Sequence, residues 1–215
     1  MSVDINVFIK FLVISLIIFI TNISFAADTK IHIIFSGLYY ASYTKNYELS
    51  TTDNITNTTN QYTYTALGLW YEWNRFCLGI KNIENTSKQN IKLNTDNTNT
   101  NRTIYTTWYG LGISTGYFFT DSFFSYFNWY VQNDKTIITE IENSPTYKLI
   151  YYGGYAWSID IGYEVDFNNI KVGPQISFIH FDFKKIKTST NSQQNLQTIQ
   201  TDNLLMPLIL IGVSF

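Results

Sequence analysis

The chain has 215 residues and a formal net charge of −2, a balance that implies no nucleic-acid partner. Charged residues are 14% and aromatics 18%; soluble domains carry about 25% charged residues, so part of this surface is built to meet something other than water. One cysteine, Cys77, rules out an intrachain disulfide, and two histidines far apart, His32 and His180, give no metal-ligand spacing and imply no cofactor.

Residues 1–26 read as a secretory signal. Lys10 is the basic residue of the n-region, Phe11 to Ile20 is an apolar core, and Ser24 and Ala26 form a small-residue cleavage site, so the mature chain is expected to start at Ala27. The apolar run is shorter than the ~20 residues a spanning helix needs. No second such run follows, which excludes a helical membrane protein, and the residue directly after the cleavage site is Ala27, not a cysteine that could carry a lipid. Residues 27–215 suit one domain.

From Ala27 two textures alternate. Asn- and Thr-rich stretches lie at about 44–61, 83–102, 133–146 and 184–203, and between them sit apolar blocks long enough for two strands each. Each block holds a short polar turn: Asn74 in "EWNRF", Thr120 to Ser122 in "FFTDSFF", and Asp166 to Asn169 in "EVDFNNI". The connections therefore run long, short, long, short, long, short, long, which predicts eight strands with long loops at one end and short turns at the other.

The first predicted strand, "KIHIIFSGLYYASY", is ambiguous. Ile31, Ile33 and Phe35 favour one phase, Leu38 and Tyr40 the other, and Gly37 is placed to make a phase-switching bulge. Later segments alternate cleanly. Leu67, Leu69, Tyr71 and Trp73 oppose Ala66, Gly68, Trp70 and Glu72, while Phe76, Leu78 and Ile80 oppose Arg75, Cys77, Gly79 and Lys81. Tyr109, Leu111, Ile113 and Tyr117 oppose Trp108, Gly110, Gly112, Ser114 and Gly116. Tyr155, Trp157, Ile159, Ile161 and Tyr163 oppose Gly154, Ala156, Ser158, Asp160, Gly162 and Glu164.

In these four segments one face carries bulky apolar side chains and no charge; the other carries Gly, Ala and Ser with every charge. A soluble barrel would turn the bulky face inward, yet eight strands leave an interior only just wide enough for side chains. The bulky face is therefore expected to point out, to lipid. Charges left inside must pair, because unpaired charges there are costly. The expected lumen network is Glu72, Arg75, Lys81, Asp160, Glu164 and Lys171, with Cys77 as a small filler. The simple reading is a salt-bridged plug, the sharper one a gated ion path.

Two aromatic belts are expected. Tyr71, Trp73, Phe76, Tyr117, Phe118, Phe119 and Tyr163 fall beside the short turns; Tyr43, Tyr62, Tyr64, Tyr105, Tyr130 and Tyr151 fall nearer the long loops. Pro174 and Pro207 cannot donate to a ladder, so each is expected at a bulge or local break. Ser177, His180 and Asp182 lie close in sequence, but Ser177 is out of phase with the other two, so no catalytic triad and no enzyme is expected. Sequons such as Asn54, Asn57, Asn85 and Asn101 follow from composition, and no glycan is assigned to them.

The chain ends in "LILIGVSF", with Ile209, Ile211, Val213 and Phe215 on one face. This ending resembles the C-terminal signature of bacterial outer-membrane β-barrels, although Val213 stands where that pattern often has an aromatic. With the signal, the loop asymmetry and eight strands, the chain resembles the small barrels of the OmpA transmembrane-domain and opacity-protein type. The resemblance implies an eight-stranded antiparallel transmembrane barrel in the outer membrane, with short periplasmic turns and long extracellular loops. It implies outer-membrane lipid as surroundings and the barrel-assembly machinery as a partner of the last strand. A structural or adhesin-like role through the loops is expected, toward a ligand the sequence does not name. The alternatives are a narrow channel or carrier for a small solute and, third, a lipid-modifying enzyme.

Overall fold

A computed structural model describes residues 29–48, 54–95, 98–188 and 193–215. The expected signal, 1–26, lies outside the described residues. Among the described residues ten β-segments follow one another: β1 (Thr29–Glu48), β2 (Asn54–Trp73), β3 (Phe76–Thr95), β4 (Thr98–Phe118), β5 (Phe123–Ile141), β6 (Tyr147–Tyr152), β7 (Ala156–Tyr163), β8 (Val165–Phe167), β9 (Ile170–Thr188) and β10 (Gln193–Ser214). All pairings are antiparallel. β6, β7 and β8 occupy one strand position beside β9, and β10 returns to β1. Eight strand positions thus close into a barrel.

The short turns have the predicted chemistry. Asn74 and Arg75, and Asn168 and Asn169, all have positive φ, the paired left-handed geometry of a two-residue hairpin whose twist matches its strands. At the other end, the polar stretches are mostly ladder. β2 pairs β3 up to Asn54↔Asn94, and β3 pairs β4 up to Thr95↔Thr98. The long connections are therefore tall hairpins. Their Thr residues suit strands, and side chains link across them: Thr86 with Thr107 at 3.3 Å, Thr103 donating to Asn90 at 3.1 Å, and Lys88 over the Tyr105 ring.

The first strand settles in one phase. β1 pairs β2 without a register shift past Gly37, so the bulge expected there is absent. His32, Ile34 and Ser36 point in, and Ile33, Phe35 and Tyr39 point out. Tyr40 keeps the inward phase of Leu38 but is exposed, its ring 6.3 Å from that of Tyr62. A bulge occurs elsewhere. β5 carries one extra residue, Val131, opposite the Leu111–Gly112 step. Below it Tyr126, Asn128 and Tyr130 are buried; above it the buried positions are Lys135 and Thr139.

Both ladder prolines sit at breaks. Gly162↔Gln175 and Val165↔Val172 bracket an unpaired interval on the β7/β8 side of β9, and Pro174 lies in it. Pro207 lies at the seam. β1 and β10 pair only from His32↔Ser214 to Gly37↔Ile209, whereas β1 and β2 pair from Thr29 to Glu48. Above Gly37 the first and last strands each keep one neighbour.

Candidate functional site

The outer surface carries a continuous apolar band. Ile33, Phe35, Leu67, Leu78, Ile113, Phe127, Ile159, Ile176, Ile209 and Ile211 are all exposed. The lower aromatic girdle contains Trp73, Phe76, Phe119 and Tyr163 as expected, but Phe118 is buried in the lumen. The upper girdle differs from expectation. Tyr64 and Tyr130 are fully buried inside, and Tyr151 packs against the inner cluster. The exposed upper aromatics include instead Tyr39, Tyr40, Trp129, Tyr147 and Tyr155, with Trp129 and Tyr155 stacked at 6.0 Å. Tyr64 keeps the inward phase of Ala66 and Trp70, and Tyr130 that of Tyr126 and Asn128, so height along the sequence does not say which wall an aromatic faces; alternation does. The side chain of Tyr43 lies outside the described residues.

The lumen is filled. Large aromatics enter it where inward glycines leave room. A Cβ on Gly68 would lie 1.7 Å from the Trp70 ring, one on Gly116 2.0 Å from Tyr126, and one on Gly162 2.4 Å from Phe124. Small inward residues are thus sockets for inward rings. Trp70 stacks on Tyr126 at 4.9 Å and donates to Ser114 at 2.6 Å.

The centre of the plug is an ion pair. Lys81 Nζ lies 2.5 Å from Asp160 Oδ2, with side chains 2% and 1% exposed. Asp160 also accepts from Asn128 at 2.8 Å and from Ser177 at 2.6 Å. Ser177 in turn accepts from Gln175, and Gln175 from Ser36. Asn128 reaches Ser158, which bonds Tyr130. Charge complementarity with several fixed donors is what a buried carboxylate needs. The gap beside this pair, lined by Ser36, Trp70, Lys81, Tyr126, Asp160 and Gln175 among others, leaves no room for a water molecule.

The remaining charges form smaller pairs near the short-turn rim. Glu164 accepts from Lys171, both buried. Glu72 meets His32 at 2.6 Å. Arg75 is not in the lumen. It occupies the exposed β2–β3 turn and bonds Phe119 O at 3.0 Å and Asp121 at 3.2 Å, joining two short turns. Its left-handed φ in a two-residue turn takes it off the strand alternation that predicted an inward side chain. Sequence reasoning missed His32, because β1 was ambiguous in phase. It also missed the uncharged members Ser36, Asn128, Ser158, Gln175 and Ser177; their only signal was an inward phase.

Higher in the lumen the lining becomes apolar: Tyr64, Ile83, Tyr130, Ile179, Phe181, Phe183, Met206 and Leu208 form one cluster. Above it Lys135 and Asp202 pair at 2.7 Å. Trp108 donates to Asp202 at 2.7 Å, and Lys135 lies over the Trp108 and Tyr151 rings. This group was absent from the predicted network, since the bulge at Val131 is what turns Lys135 inward. Nearby, burial lifts the Asp134 carboxyl above its usual range, opposed by Lys148.

The other residues singled out by sequence separate. His180 meets Asp182 at 3.4 Å and Asn203 at 2.8 Å, while Ser177 goes to Asp160 in the lumen. Cys77 is buried beside the Tyr126 hydroxyl. At the end of the chain Ile209, Ile211 and Phe215 are exposed. Phe215 closes the ring by exchanging two 3.0 Å backbone bonds with Ile31.

No family model and no curated protein matches the chain. Among solved structures it is similar to the transport unit of the autotransporter AIDA-I from Escherichia coli, at 11% identity and a TM-score of 0.35, covering 89% of this chain and 90% of that one. It is also similar to OmpT, an outer membrane protein of Vibrio cholerae in trimer form, at 12% identity and a TM-score of 0.22. That match covers 89% of this chain and 52% of the other.

Proposed function

We propose that the chain is a bacterial outer-membrane β-barrel that acts through its tall polar end and not as a pore. The apolar band between aromatic girdles supports residence in a membrane, where backbone groups must be satisfied within the protein, as the antiparallel ladder does around the ring below the upper seam. The outer membrane is the bilayer in which such barrels are built after export. Cleavage before Ala27 and delivery to the assembly machinery through Ile209, Ile211, Val213 and Phe215 belong to the same reading. The tall hairpins, polar and cross-linked, then stand outside the cell as a recognition surface in an adhesin-like or structural role.

One observation carries the choice against the channel. The Lys81–Asp160 pair and its hydrogen-bonded ring fill the lumen so tightly that no water fits beside them. Ions would have to displace a fixed, mutually satisfied network. Recording of the refolded protein in planar bilayers is the test. Silence is the expected result; steady, reproducible conductance would replace this reading with the channel. For the recognition role, cells displaying the barrel should bind a surface that cells displaying a variant with trimmed hairpins do not.

A further inference from the structure

The upper seam is a defect with a chemical cause. Ile31 and Phe215 exchange both backbone bonds, so odd-numbered residues of β10 bond toward β1. Ser214 N bonds Asn169 O, so even-numbered ones bond away from it. Continuing the alternation from 31/215, the hydrogen-bonded pairs are Ile33 with Val213, Phe35 with Ile211 and Gly37 with Ile209. The next would be Tyr39 with residue 207. Residue 207 is proline, which has no N–H to give. The ladder stops one step before it.

What lies behind the gap is apolar. Met206 and Leu208 belong to the inner cluster, and Leu38 and Leu204 pack against it. Outside, Tyr39 and Leu205 are exposed and continue the lipid-facing band. Along the inner wall from the seam, Leu38, Tyr64, Asn85, Trp108, Lys135 and Tyr151 are successive cross-strand neighbours. Asn85 is 2% exposed, and neither its amide nitrogen nor its oxygen has a hydrogen-bond partner. A buried amide with both atoms unmatched is costly, and it stands in the same row as the Lys135–Asp202 group.

We propose that the open seam is a lateral portal for a single-chain amphiphile, a long-chain fatty acid, from the outer leaflet. The chain enters between Tyr39 and Pro207 onto Leu38, Leu204, Met206 and Leu208. Its carboxylate accepts from Asn85 Nδ2 and approaches Lys135. A hydrocarbon chain makes no hydrogen bonds, so it loses nothing to the one donor that Pro207 lacks. A β-strand docking there would meet the same missing N–H that stopped β1. The proposal rests on the membrane reading but goes beyond it.

The test uses short-range quenching of tryptophan by bromine. In the triple variant W73F/W129F/W157F only the inward Trp70 and Trp108 remain, and the lost rings are all on the outer face. In phosphatidylcholine vesicles, added dibromostearic acid should quench the remaining emission saturably. Pro207→Val restores the donor, lets the seam zip, and should abolish the saturable part. Asn85→Ala leaves the seam open and should weaken the apparent affinity about fivefold, the effect of one hydrogen bond. Native mass spectrometry of the unaltered chain with the same acid should show one bound molecule. No saturable quenching, or quenching unchanged in both variants, would overturn the proposal. So would a Tyr39→Cys variant that crosslinks copy to copy, since a second chain would then hold the seam. Unaltered protein in vesicles of brominated phosphatidylcholine separates the two readings: if its outer tryptophans quench and the inner pair ignores the acid, only the portal falls.

Discussion

Removing Asp160 should cost more than any other single change in the lumen. Asp160→Ala leaves Lys81 with 2% of its side chain exposed and no counter-charge. Breaking a buried pair from one side costs about 3–5 kcal/mol. The donors of Asn128 and Ser177 lose a partner too; Asn128 still donates to Ser158, while the Ser177 hydroxyl, which only accepts from Gln175, must turn to another acceptor. About 3–5 kcal/mol is therefore the expected loss, read as a shift in the urea midpoint of protein refolded in bilayers and followed by the emission of Trp70, which lines the gap beside the pair. Replacing both partners, Lys81→Met with Asp160→Leu, should recover most of it, because an apolar pair leaves nothing uncompensated. A loss under about 1 kcal/mol for Asp160→Ala, the worth of an ordinary hydrogen bond, would refute the buried-pair account. A double variant worse than the single would refute it equally.

Leu69→Arg, on the outer face, should destabilise by about 2–4 kcal/mol if Leu69 lies near the bilayer midplane; a change within error would place the midplane elsewhere. In a Cys77→Ser background, a lipid-soluble thiol reagent should label Ile113→Cys and spare Ser114→Cys, since Ile113 is exposed and Ser114 is fully buried. The reverse order would mean the two walls are exchanged. Deleting Phe215, a rim residue 73% exposed, should change stability by less than the ~1.5–3 kcal/mol of a fully buried side chain, yet lower the amount reaching the outer membrane in cells. Equal losses in both assays would make Phe215 a purely structural residue.

The sequence by itself determined the strand texture, the three short turns and the two faces. Strand side chains alternate with a fixed period of two, so bulky Leu69 and small Gly68 declare opposite walls without any partner in view. The asparagine turns at 74 and 168–169 were legible because left-handed backbone selects that residue. The pairing of Lys171 with Glu164 across a hairpin was legible for the same local reason. What crosses the barrel was decided only by closure. Lys81 and Asp160 are 79 positions apart, and which charge meets which depends on the stagger of every strand between them. Arg75 left the lumen through one turn dihedral. Lys135 entered it because the single extra residue at Val131 resets the phase of the upper part of β5. Pro207 announced a break, but only the register placed its missing N–H toward β1, where it opens the seam. Local alternation is a property of a few residues, whereas register and closure belong to the whole ring.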